Sequence, residues 1–127
     1  MANIIIVEDD ANLAKVYQKK LVEGGHTVSI VEDASAVATI AAQKPSLVLC
    51  DIMMPRVNGL DILRELKADP NSALVPILLL TNVAEDASIA KGLELGAYGY
   101  LLKSETSPDQ VLSRVNMTLE ETAPAKP

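Results

Sequence analysis

Glu8, Asp9 and Asp10 follow directly on the apolar run Ile4-Ile5-Ile6-Val7, and Asp51 follows Leu47-Val48-Leu49-Cys50 in the same way. Each run reads as a short, buried strand bounded by turn residues. If the two strands lie parallel and adjacent, their carboxyl ends coincide, and three or four carboxylates meet at one edge. Like charges that close raise one another's pKa and are costly unless a cation joins them. The pattern therefore points to a divalent metal site built around a reactive aspartate. Two later apolar runs also end in polar residues, Thr81 after Ile77-Leu78-Leu79-Leu80 and Lys103 after Tyr100-Leu101-Leu102. Carboxylates, a hydroxyl, an ammonium and a metal together make a phosphoryl-transfer site with the aspartate as nucleophile. Mg²⁺ suits it, because that ion binds through one or two carboxylates and keeps waters for substrate oxygens.

The elements must bring those ends together. Strand-like runs begin near Asn3, Thr27, Leu47, Val75 and Gly99, and apolar residues at helical spacing lie between them, as in Leu13/Val16/Tyr17/Leu21 and Leu60/Leu63/Leu66. Gly24-Gly25 and Gly96 stand where a helix end favours a left-handed residue. Ser107-Pro108-Asp109-Gln110 supplies an N-cap, a proline at the first helical position and a glutamine three residues after the cap. Five strands alternating with five helices predict an α/β domain with a doubly wound parallel sheet, strand order 2-1-3-4-5, of flavodoxin-like (βα)5 type. In that order strands one and three are neighbours at the topological switch point, where ligands bind beyond the carboxyl ends. Glu8, Asp9, Asp10 and Asp51 all fall there. Residues 1–121 are expected to form the domain, and 122–127, rich in Ala and Pro, a disordered tail or the start of a linker.

At 127 residues the chain is long enough for one well-buried core. Half its residues are hydrophobic, yet there is no Phe or Trp and only three Tyr, so the core must be aliphatic. A net charge of −6 argues against direct binding to nucleic acid or to an anionic membrane. Cys50, the one cysteine, has no partner for an internal disulfide, which favours a reducing cytoplasm. No apolar stretch approaches the roughly 18 residues of a membrane span. A strand begins too soon after Met1 to leave room for a signal peptide.

Taken singly, these residues have plainer readings. Acids after a strand can be a solvated helix N-terminus stabilised by the helix dipole, and Asp10 is expected to cap a helix in that way. Thr81 alone could cap the next helix, Lys103 alone could be a surface lysine, and Tyr100 could be a half-buried strand residue. Cys50 reads as a packing residue, and His26, in the turn Gly24-Gly25-His26, as a surface one. It is the combination on four strand ends that carries the argument.

At these residues the chain resembles the receiver domain of two-component response regulators, a chemotaxis-regulator-like family. The motifs are Glu8-Asp9, Asp51 followed by Met54-Pro55 and Gly59, then Thr81, Gly96-Ala97 with Tyr100, and Lys103, spanning essentially Asn3 to Leu119. The resemblance implies that Asp51 accepts phosphate from a phosphohistidine on a sensor histidine kinase or phosphotransfer protein. It implies that Asp9, Asp51 and the backbone carbonyl of Met53 hold Mg²⁺, with Glu8 acting through water. Lys103 would pair with phosphoryl oxygens. Thr81 would move toward the phosphate and Tyr100 would turn inward behind it, remodelling the face of the fourth helix, fifth strand and fifth helix for a downstream effector. That face leaves room for a homodimer. The implied role is a cytoplasmic signalling switch, not an enzyme.

Four positions depart from the family pattern. Ser104 stands where a proline with a cis bond normally follows the lysine, and a cis bond without proline costs about 3–4 kcal/mol, so a trans bond is expected. Asn82 replaces a very small residue beside the phosphate, which would narrow access for donors. Met53 and Val83, each two residues after a site residue, are apolar and poor at orienting water, which predicts slow self-dephosphorylation. Rival functions fit less well. A haloacid-dehalogenase-type phosphatase needs a second Asp two residues after the nucleophile, where this chain has Met53. A flavodoxin needs a hydroxyl- and glycine-rich phosphate loop where this chain has carboxylates. A receiver-like interaction module that works without phosphorylation is the serious alternative, opposed by the intact acidic pair, Asp51, Thr81 and Lys103.

Overall fold

The structure, a computed structural model, describes residues 2–33, 35–55, 57–82 and 87–122. In chain order the elements are β1 (Asn3–Val7), α1 (Ala11–Glu23), β2 (Thr27–Val31), α2 (Ala36–Gln43), β3 (Leu47–Asp51), α3 (Gly59–Ala68), β4 (Ile77–Thr81), α4 (Ala87–Glu94), β5 (Gly99–Leu102), a 3₁₀ turn (Lys103–Glu105) and α5 (Pro108–Thr122). The five strands form one parallel sheet in the order β2-β1-β3-β4-β5. That is the expected doubly wound architecture. α5 ends on Thr122, whose hydroxyl donates to the Thr118 carbonyl at 2.8 Å; residues 123–127 of the expected tail lie outside the described residues, as does Val83. No helix among the described residues is long and apolar enough to cross a membrane.

Because side chains alternate across a strand, each central strand feeds two cores. Ile5, Val7, Val48, Cys50, Ile77 and Leu79 face one way, against Ile40 of α2 and Ile62, Leu63 and Leu66 of α3. Ile4, Ile6, Leu47, Leu49, Leu78 and Leu80 face the other way, against Ala14, Tyr17 and Leu21 of α1 and Val111 and Val115 of α5. Strands covered on both faces read as unbroken apolar runs, which is why they were visible in the sequence.

Helix punctuation follows local chemistry. Asp10 caps α1, its Oδ1 accepting from the amides of Asn12 and Leu13, both at 3.1 Å. At α5 the reciprocal capping box forms: Gln110 Oε1 accepts from Ser107 N at 2.8 Å and Ser107 Oγ from Gln110 N at 3.2 Å. Gly25 and Gly96 take the left-handed φ values of 94° and 112° that their helix ends require. α2 instead ends on Lys44 at φ 48°, with no glycine to announce it. His26 also differs from expectation. It is half-buried, with Nδ1 accepting from Ala2 N at 3.2 Å and Nε2 lying 2.7 Å from Asn116 Oδ1 of α5. A neutral ring with its proton on Nε2 satisfies both partners.

Gly59 opens α3 at its closest approach to the sheet. A β-carbon there would run into the carbonyl oxygen of Asp51 and lie 2.8 Å from Ile52 Cα. Both neighbours are backbone, so neither can rotate away. Gly59→Ala is therefore expected to cost about 1–3 kcal/mol of stability, read as a lowered midpoint in urea unfolding; an unchanged midpoint would show that the approach can relax.

Candidate functional site

The carboxyl ends of β1 and β3 are adjacent, Val7 pairing with Cys50. The next residue on each strand path is acidic, so topology alone delivers Glu8 and Asp51 to one spot. Glu8 is completely buried and Asp51 nearly so, while Asp9 is exposed on the outer wall. Glu8, Asp9 and Asp51 each present a carboxylate oxygen within 4.8 Å of the others. Asp10, the fourth candidate, is used in capping α1. On the neighbouring strand Asp51 pairs with Leu80, which leaves the buried Thr81 one residue beyond, opposite Leu102. Lys103 then leaves β5 into the 3₁₀ turn and reaches back over the sheet edge.

The Lys103 ammonium joins the set. Its Nζ lies 2.7 Å from Glu8 Oε1 and 2.9 Å from Asp51 Oδ2. The other Asp51 oxygen, Oδ1, accepts from the Met53 amide at 3.1 Å, so both oxygens are oriented. The loop carrying Met53 is itself held by a bridge to Asn58, whose Oδ1 caps α3 through Leu60 N at 2.8 Å. Glu8 Oε2 makes a long contact, 3.4 Å, with the Asp10 amide.

Burial pushes the Glu8 carboxyl pKa up, hydrogen bonding and repulsion from Asp51 push it further, and Lys103 partly offsets the rise. For Lys103 burial acts downward, but pairing with Glu8 and Asp51 together outweighs it and the net shift is up. Among the described residues one ammonium faces three carboxylates, which leaves the site short of positive charge. Glu8 Oε1 is buried beside Lys103 without the alignment of a hydrogen bond, leaving it a buried acceptor not fully satisfied. An all-oxygen donor set with surplus negative charge fits a hard divalent cation such as Mg²⁺. Cys50, beneath Asp51, has its thiol pushed up to about 12 by burial, which makes it an inert packing group.

Residues 4–116 match the family model described as the response regulator receiver domain. The chain belongs to that family. It is 35% identical over 117 residues to the DNA-binding response regulator MtrA of Mycobacterium tuberculosis, covering 91% of this chain and 50% of that protein. It is 34% identical over 122 residues to the phosphate regulon transcriptional regulatory protein PhoB of Pseudomonas aeruginosa, covering 95% and 53%. The chain thus spans about half the length of the curated relatives it matches. Among solved structures it is similar to the BeF3-activated N-terminal receiver domain of Klebsiella pneumoniae RstA, with TM-score 0.81 and 34% identity over 92% of this chain and 97% of that one. It is also similar to the signal receiver domain of a histidine kinase from Syntrophus aciditrophicus, with TM-score 0.87 and 27% identity over 99% and 96%.

Within this receiver domain the departures can now be placed. Among the described residues no peptide bond is cis, so Lys103–Ser104 is trans, and the lysine nevertheless reaches both carboxylates. The 3₁₀ turn at Lys103–Glu105 takes the place of a proline-set bend. Asn82 is exposed beyond Thr81, and Tyr100 is turned toward solvent on β5. Tyr17 of α1 is a further neighbour of the site: burial first raises the pKa of its phenol, which also feels Lys103, Glu8 and Asp51. Its apolar helical spacing marks it as core, so no sequence signal separated it from Leu21.

Replacing Lys103 with Ala would strand a buried Glu8 beside Asp51. At neutral pH the expected loss is roughly 3 kcal/mol or more. A carboxyl whose folded pKa is raised adds stability below its unfolded value and loses it as pH rises through the folded one. The gap between Lys103→Ala and wild type should therefore shrink as the pH is lowered from neutral through the raised Glu8 pKa, where Glu8 takes up its proton. Chemical denaturation above and below that pKa measures it; an equal loss at both would assign Lys103 to packing alone.

Proposed function

We propose that the chain is a phosphoacceptor switch in which Asp51 takes a phosphoryl group from a phosphohistidine on a sensor histidine kinase or phosphotransfer protein. The observation carrying this reading is the Lys103 ammonium set against both Glu8 and Asp51, with both Asp51 oxygens oriented. Asp51 Oδ2, on the Lys103 side, forms the bond to phosphorus, and the phosphorus–nitrogen bond to the donor imidazole breaks with its electron pair going to nitrogen. Lys103 then lies within reach of a phosphoryl oxygen and neutralises charge there. The Met53 amide keeps the carboxylate from rotating. Asp9, Asp51 and the Met53 carbonyl would hold Mg²⁺, with Glu8 acting through water. When bound, that ion supplies positive charge between the carboxylates and the phosphoryl oxygens.

Phosphorylation adds about −1.5 to −2 charge and three acceptor oxygens at the sheet edge. The Thr81 hydroxyl is drawn to one of them, and Tyr100 moves from solvent into the space behind. α4, β5 and α5 are thereby remodelled for an effector protein or domain, or for a second copy of the chain. A coupling of ~1–3 kcal/mol is typical of such linkage. This domain itself contacts neither nucleic acid nor membrane, consistent with its net charge of −6, and works in the cytoplasm as a switch and not as an enzyme.

Incubation with acetyl phosphate and Mg²⁺ should add one phosphate to the wild type, seen by intact mass. Asp51→Asn and wild type with chelator should take none; a phosphorylated Asp51→Asn would refute the assignment. With apolar Met53 beside it the acyl phosphate should outlast a turnover-scale loss of about a minute. Faster decay of the isolated domain would sink that expectation.

A further inference from the structure

The segment after β3 alternates strictly in burial. Ile52 and Met54 turn into the core beneath α3, while Met53 turns out with 72% of its surface exposed, against 8% for Met54. The chain bends at Ile52, and across that bend the Met53 amide meets the Asp51 carboxylate, so the backbone of Met53 lies directly beside Asp51. It cannot drift away, because its amide is bonded to Asp51 Oδ1 at 3.1 Å and its backbone is bridged to Asn58. A large, exposed thioether is thus carried on the residue whose amide holds the Asp51 carboxylate. Packing does not account for it, since it fills no core space.

We propose that Met53 is a peroxide-sensitive modification site whose oxidation state sets how long the phosphate stays on Asp51. The inference rests on the reading of Asp51 as phosphoacceptor. Thioether oxidation follows solvent access, so hydrogen peroxide reaches Met53 and not Met54. One oxygen atom passes from the peroxide to sulfur, forming the sulfur–oxygen bond and releasing water; sulfur is oxidised and peroxide reduced. A thioether is a weak acceptor, whereas the sulfoxide is polar and its oxygen accepts hydrogen bonds readily.

Hydrolysis of the acyl phosphate needs a water whose oxygen bonds to phosphorus as the bond from phosphorus to the Asp51 oxygen breaks. The electron pair of that bond returns to the carboxylate, and the water's proton leaves with inorganic phosphate. An acceptor beside the acyl phosphate orients that water, a condition for productive attack. The thioether leaves the water unoriented and the phosphate long-lived. The sulfoxide supplies the acceptor and shortens the life of the phosphorylated state, so peroxide resets the switch without touching the kinase.

The test uses the full 127-residue chain, phosphorylated with acetyl phosphate and Mg²⁺ before and after hydrogen peroxide, with peptide mass mapping of each methionine. Met53 should gain one oxygen well before Met54. The half-life of the phosphate should fall roughly three- to tenfold, the effect of one oriented hydrogen bond. Met53→Leu should make the half-life indifferent to peroxide, and Met53→Gln should shorten it without peroxide. Met117, 52% exposed on α5, is the control: Met117→Leu should leave the response intact. An unchanged half-life in protein oxidised at Met53, or a response that persists in Met53→Leu, overturns the proposal while leaving Asp51 as phosphoacceptor. Untreated protein that takes up no phosphate overturns both readings.

Discussion

One ammonium held between two buried carboxylates is the interaction on which the rest of the structure turns. Lys103 stands 2.7 Å from Glu8 and 2.9 Å from Asp51, three residues from three different strand ends. Burying Glu8 and Asp51 side by side without a cation would cost several kcal/mol. Among the described residues one ammonium is shared among three acids, so negative charge remains in surplus there. That imbalance suits the set to a further hard cation.

The parallel sheet makes this arrangement possible. All strands point the same way, so every loop after a strand emerges at one edge, and the order β2-β1-β3-β4-β5 puts the ends of β1, β3 and β4 next to one another. Two aliphatic cores fix the strands in register, while the edge itself carries the polar residues. Gly59 extends the same logic to the loop after β3, where α3 presses onto the backbone of Asp51 and Ile52 with no room for a side chain. Asp51, the proposed phosphoacceptor, thus sits where packed backbone leaves no slack. The residues expected to move, Thr81 and Tyr100, lie on the adjoining strands, one buried and one turned to solvent.

Much of the fold and of the site was legible from the primary order, for identifiable reasons. Strands buried on both faces appear as short unbroken apolar runs, and the runs of β1, β3, β4 and β5 end at the candidate site residues. The capping box at Ser107–Gln110 and the left-handed glycines are local motifs, so they survive in the sequence unchanged. Other features left no local mark. Lys44 closes α2 with a left-handed backbone where no glycine stands, at a modest penalty. His26 reads as a turn residue, yet its two ring nitrogens join Ala2, near the start of the chain, to Asn116, ninety positions beyond the histidine.

By itself, then, the sequence determined which residue types end which strands, how many strands and helices there are, and the surplus of acid at the switch point. These depend on patterns only a few residues long. Only the tertiary structure decided that Lys103, with a trans bond to Ser104, still reaches both Glu8 and Asp51, that Met53 faces out while Met54 faces in, and that Tyr17 comes up beneath the site. Those outcomes depend on where separate elements meet in space, and burial and Coulomb energy are set by such distances, which no short stretch of chain encodes.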